Sequence, residues 1–154
     1  MDTQKKANYL RSTAADGTRT YPQVGNEEPE TYRRHYGLEL WKAGFDGAMD
    51  YAYQHGFGHV WNDFDNPRYR DHVFAYPTLN GVVDTIEWEG FREGVDDVRY
   101  VTTLLQCVEQ GKANPARRQT ALAAEKWLAT MEVAGDPDRL RAKIVAWILQ
   151  LRGD

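Results

Sequence analysis

The apolar positions of this chain change period several times, and the changes mark out its elements. Residues 1–18 are polar and read as a flexible N-terminal arm. The stretch RTYPQVGNEEPE, 19–30, holds two prolines and a glycine and admits at most a short strand followed by a loop. Pro29 stands where a helix can begin, with Glu27, Glu28 and Glu30 suited to its positive N-terminal end. Tyr32, Tyr36 and Leu40, with Leu38 and Trp41, recur at three- and four-residue spacing, which predicts a helix to about Ala43, ended by Gly44. GAMDYAYQ, from Gly47 to Gln54, reads as a strand.

From His55 to Asn80 no period is clear, so a loop of 26 residues is predicted. Loops of that length in compact domains tend to carry function, and Phe57, Trp61, Phe64, Tyr69, Phe74 and Tyr76 argue against disorder here. Gly81 opens a further strand, VVDTIEW, rich in β-branched residues. Gly90 and Gly94 interrupt the next segment, after which Val95, Val98, Val101, Thr102 and Leu105 predict a helix to about Gln110. Asn114-Pro115 starts another helix, rich in Ala, Leu, Glu and Lys over 116–133. Gly135-Asp136-Pro137 is a stop-and-cap signal, and Leu140, Ile144, Trp147, Ile148 and Leu151 line one face of the last helix. Strands separated by helices predict an α/β chain built of parallel βα units. In that architecture the site lies in the loops after the strands, here after Gln23, Gln54 and Trp88.

Composition narrows the function classes. A 42% hydrophobic and 27% charged content is ordinary for a folded domain. No apolar run approaches the roughly 18 residues of a membrane-spanning helix, and the N-terminus has no apolar signal-peptide core, so no membrane partner is expected. Through Tyr100 the chain has 11 basic and 17 acidic residues, a balance of −6; the remaining 54 residues carry 8 and 6, a balance of +2. Neither part has the basic stripe of a nucleic-acid binder. All nine tyrosines, all five phenylalanines and three of the five tryptophans lie at or before position 100. An acidic, aromatic-rich stretch suits a neutral polar ligand such as a sugar, although aromatics also build cores.

The candidate chemistry follows from that ligand class. Hydrolysis of a glycosidic bond uses two carboxyl groups, or one with a substrate group. Asp50, Asp63, Asp65, Glu87 and Glu89 fall near predicted strand ends, and each also serves as a solvated loop acid or helix cap. Asp50 and Gln54 share one strand face, with Tyr51 and Tyr53 on the other. Asp63 and Asp65 lie beside Trp61 and Phe64, whose rings can stack on a sugar. Glu89 with Arg92, and Asp96 with Arg99, stand three apart, as helical ion pairs do; the alternative is that Trp88, Glu89 or Arg92 points into a pocket.

Metal and cofactor signals are weak. His55 and His59 suit zinc only on a helix, which Gly56 and Gly58 oppose. Asp63, Asp65 and Asn66 begin like a calcium loop, but Pro67 follows and no glycine or distal glutamate is in register. No phosphate-binding glycine loop or nucleophilic serine elbow occurs, so no cofactor is implied. Cys107, the single cysteine, falls mid-helix as a small core residue.

Several segments resemble the later part of the glycoside hydrolase family 123 catalytic domain. They are Pro22-Gln23-Val24-Gly25, Tyr32-Arg33-Arg34, Gly37-Leu38, Leu40-Trp41-Lys42, GAMDYAYQ, and YPT with GVVDTIEWEGFREGVDDVRYVTTL. The likeness runs over about Arg19 to Leu105, and Trp88 through Tyr100 is its most specific piece. The resemblance implies the C-terminal portion of a (β/α)8 barrel, about three βα units over 19–110, followed by a helical pair over 111–154. Length agrees, since 154 residues fall short of the about 250 of a complete barrel. Characterised members cleave terminal β-linked N-acetylgalactosamine with help from the substrate's acetamido group. Their catalytic acid belongs to an adjacent Asp-Glu pair, and this sequence has no Asp-Glu dipeptide. No catalytic residue is therefore assigned, and the chain is expected to be inactive alone. Sugar contact is expected from Asp50, Tyr51, Tyr53, Trp61, Asp63 and Trp88. The expected partners are carbohydrate and either the missing barrel half or a second copy. The alternatives are a non-catalytic carbohydrate-binding or interaction module and a small α/β domain with a purely structural role.

Overall fold

A computed structural model describes residues 12–13, 19–21, 29–48, 52–62, 64–68 and 71–153. Helix and strand are mixed, in line with an α/β chain. Two compact units divide it, Met1–Gly94 and Val95–Asp154.

The described residues of the first unit form seven short strands. They are β1 (Ser12–Thr13), β2 (Arg19–Tyr21), β3 (Gly47–Ala48), β4 (Gln54–His55), β5 (His72–Val73), β6 (Ala75–Thr78) and β7 (Gly81–Asp84). Helices α1 (Pro29–Tyr36) and α2 (Leu38–Lys42) fall between β2 and β3 in the chain, and those two strands pair in parallel, Thr20 beside Gly47. This is one βαβ crossover. The pairs β1–β2, β4–β5 and β6–β7 are antiparallel, and the last sets Tyr76 opposite Val83 and Pro77 opposite Val82.

Helix α3 (Ile86–Ala113) begins in this unit. Its Gly90 and Gly94 are one turn apart and face the α1–α2 pair. A Cβ on Gly90 would lie 2.1 Å from the Pro29 carbonyl oxygen, and one on Gly94 would lie 2.9 Å from that of Arg33. A Cβ on Gly37, between α1 and α2, would lie 2.9 Å from the Gly94 Cα. Only hydrogen fits at these contacts, so three glycines set how closely the helices approach. Around that contact an aromatic core forms. Tyr32, Tyr36, Leu40 and Phe74 are buried, with Phe45, Trp88 and Phe91 packed against them. Ring centroids stand 5.4 Å apart for Tyr36–Phe91, 5.5 Å for Tyr32–Phe74 and 5.7 Å for Phe74–Phe91, the spacing of favourable aromatic pairs.

Several sequence expectations change here. The single strand expected over 47–54 appears as β3 and β4, which pair in different sheets; Asp50 and Tyr51 lie outside the described residues. The expected loop of 55–80 contributes β5 and β6, because its second half finds β4 and β7 as partners. The strand expected over 82–88 stops at Asp84. The Thr85 hydroxyl donates to the Phe74 carbonyl and accepts from the Trp88 N–H, capping a helix whose first turn holds Glu87 and Glu89. Gly90 and Gly94 do not break that helix. Of the strand pairs described, only β2–β3 is parallel, and the described residues close no barrel.

The second unit comprises α3 from Val95, α4 (Arg118–Thr130) and α5 (Pro137–Arg152). Its core includes Val101, Leu104, Cys107, Val108, Ala121, Leu128, Ile144, Ile148 and Leu151. A Cβ on Gly111 would meet the Ala121 Cβ at 2.9 Å and Leu151 Cδ2 at 3.1 Å, so all three helices converge on that glycine. Asp136 caps α5 as expected, accepting from the N–H groups of Asp138 and Arg139. At the other end Gly153 takes the left-handed conformation, φ 85°, and Arg117 donates to the Leu151 carbonyl. The Asp97 carboxylate is fully buried and bound by Arg141, whose guanidinium also lies over the Tyr100 ring.

Two predictions test these units. Gly90→Ala is expected to cost about 2 kcal/mol or more, from forced overpacking, while Gly135→Ala, whose nearest neighbour would be 3.6 Å away, stays close to neutral in urea denaturation. Arg141→Met is expected to cost about 3 kcal/mol by removing the cation paired with a buried carboxylate. Asp97→Leu combined with Arg141→Met should recover most of that loss, read on the same unfolding curve.

Candidate functional site

Aromatic side chains stay at the surface of the first unit, each leaning on a partner ring. Trp61 follows β4 in a turn closed by the Asn62 N–H donating to the His59 carbonyl at 2.7 Å, and the Trp61 N–H donates to His59 Nδ1 at 3.3 Å. Its indole stacks on Tyr76 of β6, centroids 5.0 Å apart and planes within 14°. The residue is 50% exposed, which fits one covered face and one open face. Tyr53, 51% exposed, stands edge-on to Trp88 at 6.4 Å. Its carbonyl accepts from the Phe74 N–H, which ties this residue to the strand region beside the core. Trp88 is a different kind of residue: it stacks on Phe91 at 6.0 Å and meets Phe74 edge-on, so its ring is largely a core group.

The described carboxylates of this loop are turned inward to its backbone. Asp65 accepts from the His59 N–H, and Asp71 accepts from the Phe57 N–H at 2.8 Å. Asn62 and Asn66 accept from the N–H groups of Phe64 and Arg68, two residues on. Together these bonds give the turns of an otherwise irregular segment their shape. Phe57 rests edge-on against His55, and Phe64 is 75% exposed.

At the start of α3 both ion pairs expected from the sequence form. Arg92 donates to Glu89 and also to Glu93, and Arg99 donates to Asp96. The bond and charge of Glu89 raise the Arg92 pKa above its ordinary value, so this guanidinium stays charged. Among the described residues no three His, Cys, Asp or Glu side chains group as a metal would need, and no helix is long and apolar enough to cross a membrane. In the second unit a pocket of about 140 Å³ is lined by Cys107, Gln110, Arg117 and Arg152 among others. It is smaller than an ordinary small-molecule site and its lining holds no carboxylate.

Against the six expected contact residues, the structure brings Tyr53 and Trp88 together and sets Trp61 against Tyr76, which the sequence placed in the aromatic loop but not among the contacts. Asp50, Tyr51 and Asp63 lie outside the described residues. No protein-family model, curated protein or solved structure matches this chain. The site is therefore judged on its own chemistry, which is that of exposed rings on a hydrogen-bonded loop. Tyr76 was missed because its strand was read as loop. The alternation in Ala75-Tyr76-Pro77-Thr78, followed two residues later by Gly81-Val82-Val83, is the hairpin signal that could have found it.

The two tryptophans should separate on mutation. Trp88→Ala is expected to lose about 3 kcal/mol of stability through the cavity it leaves beside Phe74 and Phe91. Trp61→Ala, half in solvent, should lose less than about 1 kcal/mol. Thermal and urea unfolding of the two variants checks both.

Proposed function

We propose that this chain is the closing portion of a glycoside-hydrolase-like (β/α)8 barrel, resembling family 123, and that it contacts a terminal β-linked N-acetylgalactosamine without supplying the catalytic carboxylates. The observation that carries the reading is the open indole face of Trp61, backed by Tyr76 on a loop whose described acids are engaged by backbone N–H groups. Such a surface offers an apolar plane to a neutral, hydroxyl-rich ligand. The β2–α1–α2–β3 crossover, with its parallel β2–β3 pair, is the kind of connection that a βα barrel repeats. Tyr53 and Trp61 are the exposed sugar contacts in this reading; Asp50, Tyr51 and Asp63 are carried beside them from the resemblance, and so is Trp88, although its ring packs on Phe74 and Phe91.

Catalysis would need the acid pair from elsewhere, because the sequence has no Asp-Glu dipeptide. The chain alone is thus a binding surface, and it acts as a hydrolase only within a completed barrel. A second reading, a non-catalytic carbohydrate-binding module, is favoured by one observation: Trp61 and its backing ring belong to the same chain, so stacking needs no other polypeptide.

Calorimetric titration with methyl β-N-acetylgalactosaminide, paired with turnover of an aryl β-N-acetylgalactosaminide, tests the proposal. Saturable binding without turnover is the expected result. Turnover by the purified chain would overturn the missing-acid claim, and the absence of any binding would overturn sugar contact.

A further inference from the structure

We propose that Asn80 is a modification site: in the folded chain its side-chain amide cyclises onto the Gly81 backbone nitrogen, and the apex of the β6–β7 hairpin converts to aspartate and isoaspartate without an enzyme. The chemistry is independent of sugar contact.

Asparagine is among the thermolabile residues, and the atom that attacks its side chain is the backbone nitrogen of the next residue. Six asparagines occur in the chain, and only Asn80 precedes a glycine. Asn66 and Asn114 precede prolines, which have no N–H to give up. Their side-chain oxygens, and that of Asn62, each accept from a backbone N–H two residues on. None of the described residues hydrogen-bonds the Asn80 side chain in this way. Asn80 and Leu79 form the two-residue connection between Thr78 and Gly81, and Leu79, Asn80 and Gly81 are all exposed. A Cβ on Gly81 would have nothing within 4 Å, so neither a side chain nor a packed neighbour shields its nitrogen.

Water or hydroxide takes the Gly81 amide proton, and the nitrogen bonds to Asn80 Cγ. The Cγ–Nδ2 bond then breaks, and the side-chain nitrogen leaves as ammonia with that proton returned to it. The product is a cyclic imide in which one nitrogen joins Asn80 Cγ to the Asn80 main-chain carbonyl carbon. Water opens the ring. Breaking the bond to Cγ leaves aspartate; breaking the bond to the main-chain carbon leaves isoaspartate, with the chain rerouted through Cγ. Nothing is oxidised or reduced, one water is consumed and one ammonia is released.

Either product carries a carboxylate where a neutral amide stood, so the formal net charge of −4 becomes one unit more negative. Isoaspartate also adds a carbon to the main chain inside a loop of two residues. Loop length sets hairpin register, and Thr78 opposite Gly81 is the pair that closes this loop. Pro77–Val82 and Tyr76–Val83 come next, so the rerouted backbone loosens the strand that carries the ring behind Trp61.

Incubation of the whole folded chain at neutral and at mildly alkaline pH tests the proposal, beside Asn80→Gln and Gly81→Ala. The open space at position 81 accepts the alanine, and circular dichroism checks that both variants fold. Expected in the unmodified chain is a gain of about one mass unit, confined on peptide mapping to the segment holding Asn80 and faster in alkali. Isoelectric focusing should show a band of one further negative charge, and the mapped peptide should split into two products of equal mass. Both variants should convert many times more slowly, Asn80→Gln because its imide is a larger ring and Gly81→Ala because a methyl group crowds the nitrogen. An Asn80 amide that persists in the folded chain and is lost only in urea overturns the proposal, since the hairpin would then protect it. Equal conversion rates in Gly81→Ala and the unmodified chain overturn it too, as does a single aspartate product with no isoaspartate.

Discussion

The first unit depends on how closely two helical segments approach. At Gly37, Gly90 and Gly94 the backbones come so near that a methyl group would collide with a carbonyl oxygen or a Cα. Glycine weakens a helix interior by roughly 1 kcal/mol relative to alanine, so its presence twice in the first turns of α3 is unfavourable locally. The compensation is tertiary. Close approach lets Tyr32 and Tyr36 reach Phe74 and Phe91, and the resulting aromatic cluster is the core of the unit. Trp88 is drawn into the same cluster, which is why a residue with the composition of a ligand contact serves mainly as packing.

That core also fixes where the surface chemistry can be. Phe74 joins the buried cluster while its carbonyl accepts from Thr85 and its N–H donates to Tyr53. One residue thereby anchors the start of α3, the backbone at Tyr53 and, two positions on, Tyr76. Trp61 inherits its orientation through Tyr76. The exposed rings are thus preorganised by a packed interior rather than by their own loop, the arrangement that lets a mobile class of segment hold a binding surface. The second unit relies on different physics: three helices close around Gly111, with one buried carboxylate satisfied by Arg141.

Much of the local structure was legible in the sequence. Asp136 and Pro137 announce α5, and an oxygen acceptor two and three residues ahead of free N–H groups works wherever the helix packs. Gly44 ends the α1–α2 segment with a positive φ, and the pairs Glu89–Arg92 and Asp96–Arg99 form at helical spacing. Thr85 was not read as a cap, because the β-branched run around it argued for a longer strand. Strand partners were only partly legible. The pairing of β4 with β5 depends on residues that carry no mark of each other, whereas β6 and β7 carry a hairpin signal that the 26 residues without a period overshadowed.

The sequence by itself determined the mixed helix-and-strand character, the caps and helix ends, the helical ion pairs, and the concentration of aromatic rings before position 100. Each depends on the residue and its near neighbours, so each can be read in order along the chain. Only the tertiary structure decided which aromatics are core and which are surface, and it made two glycines into a helix contact instead of a break. It also placed Tyr76 behind Trp61. Those outcomes depend on backbone approach and ring stacking between segments distant in sequence, where residue type states what a side chain can do but not what it meets.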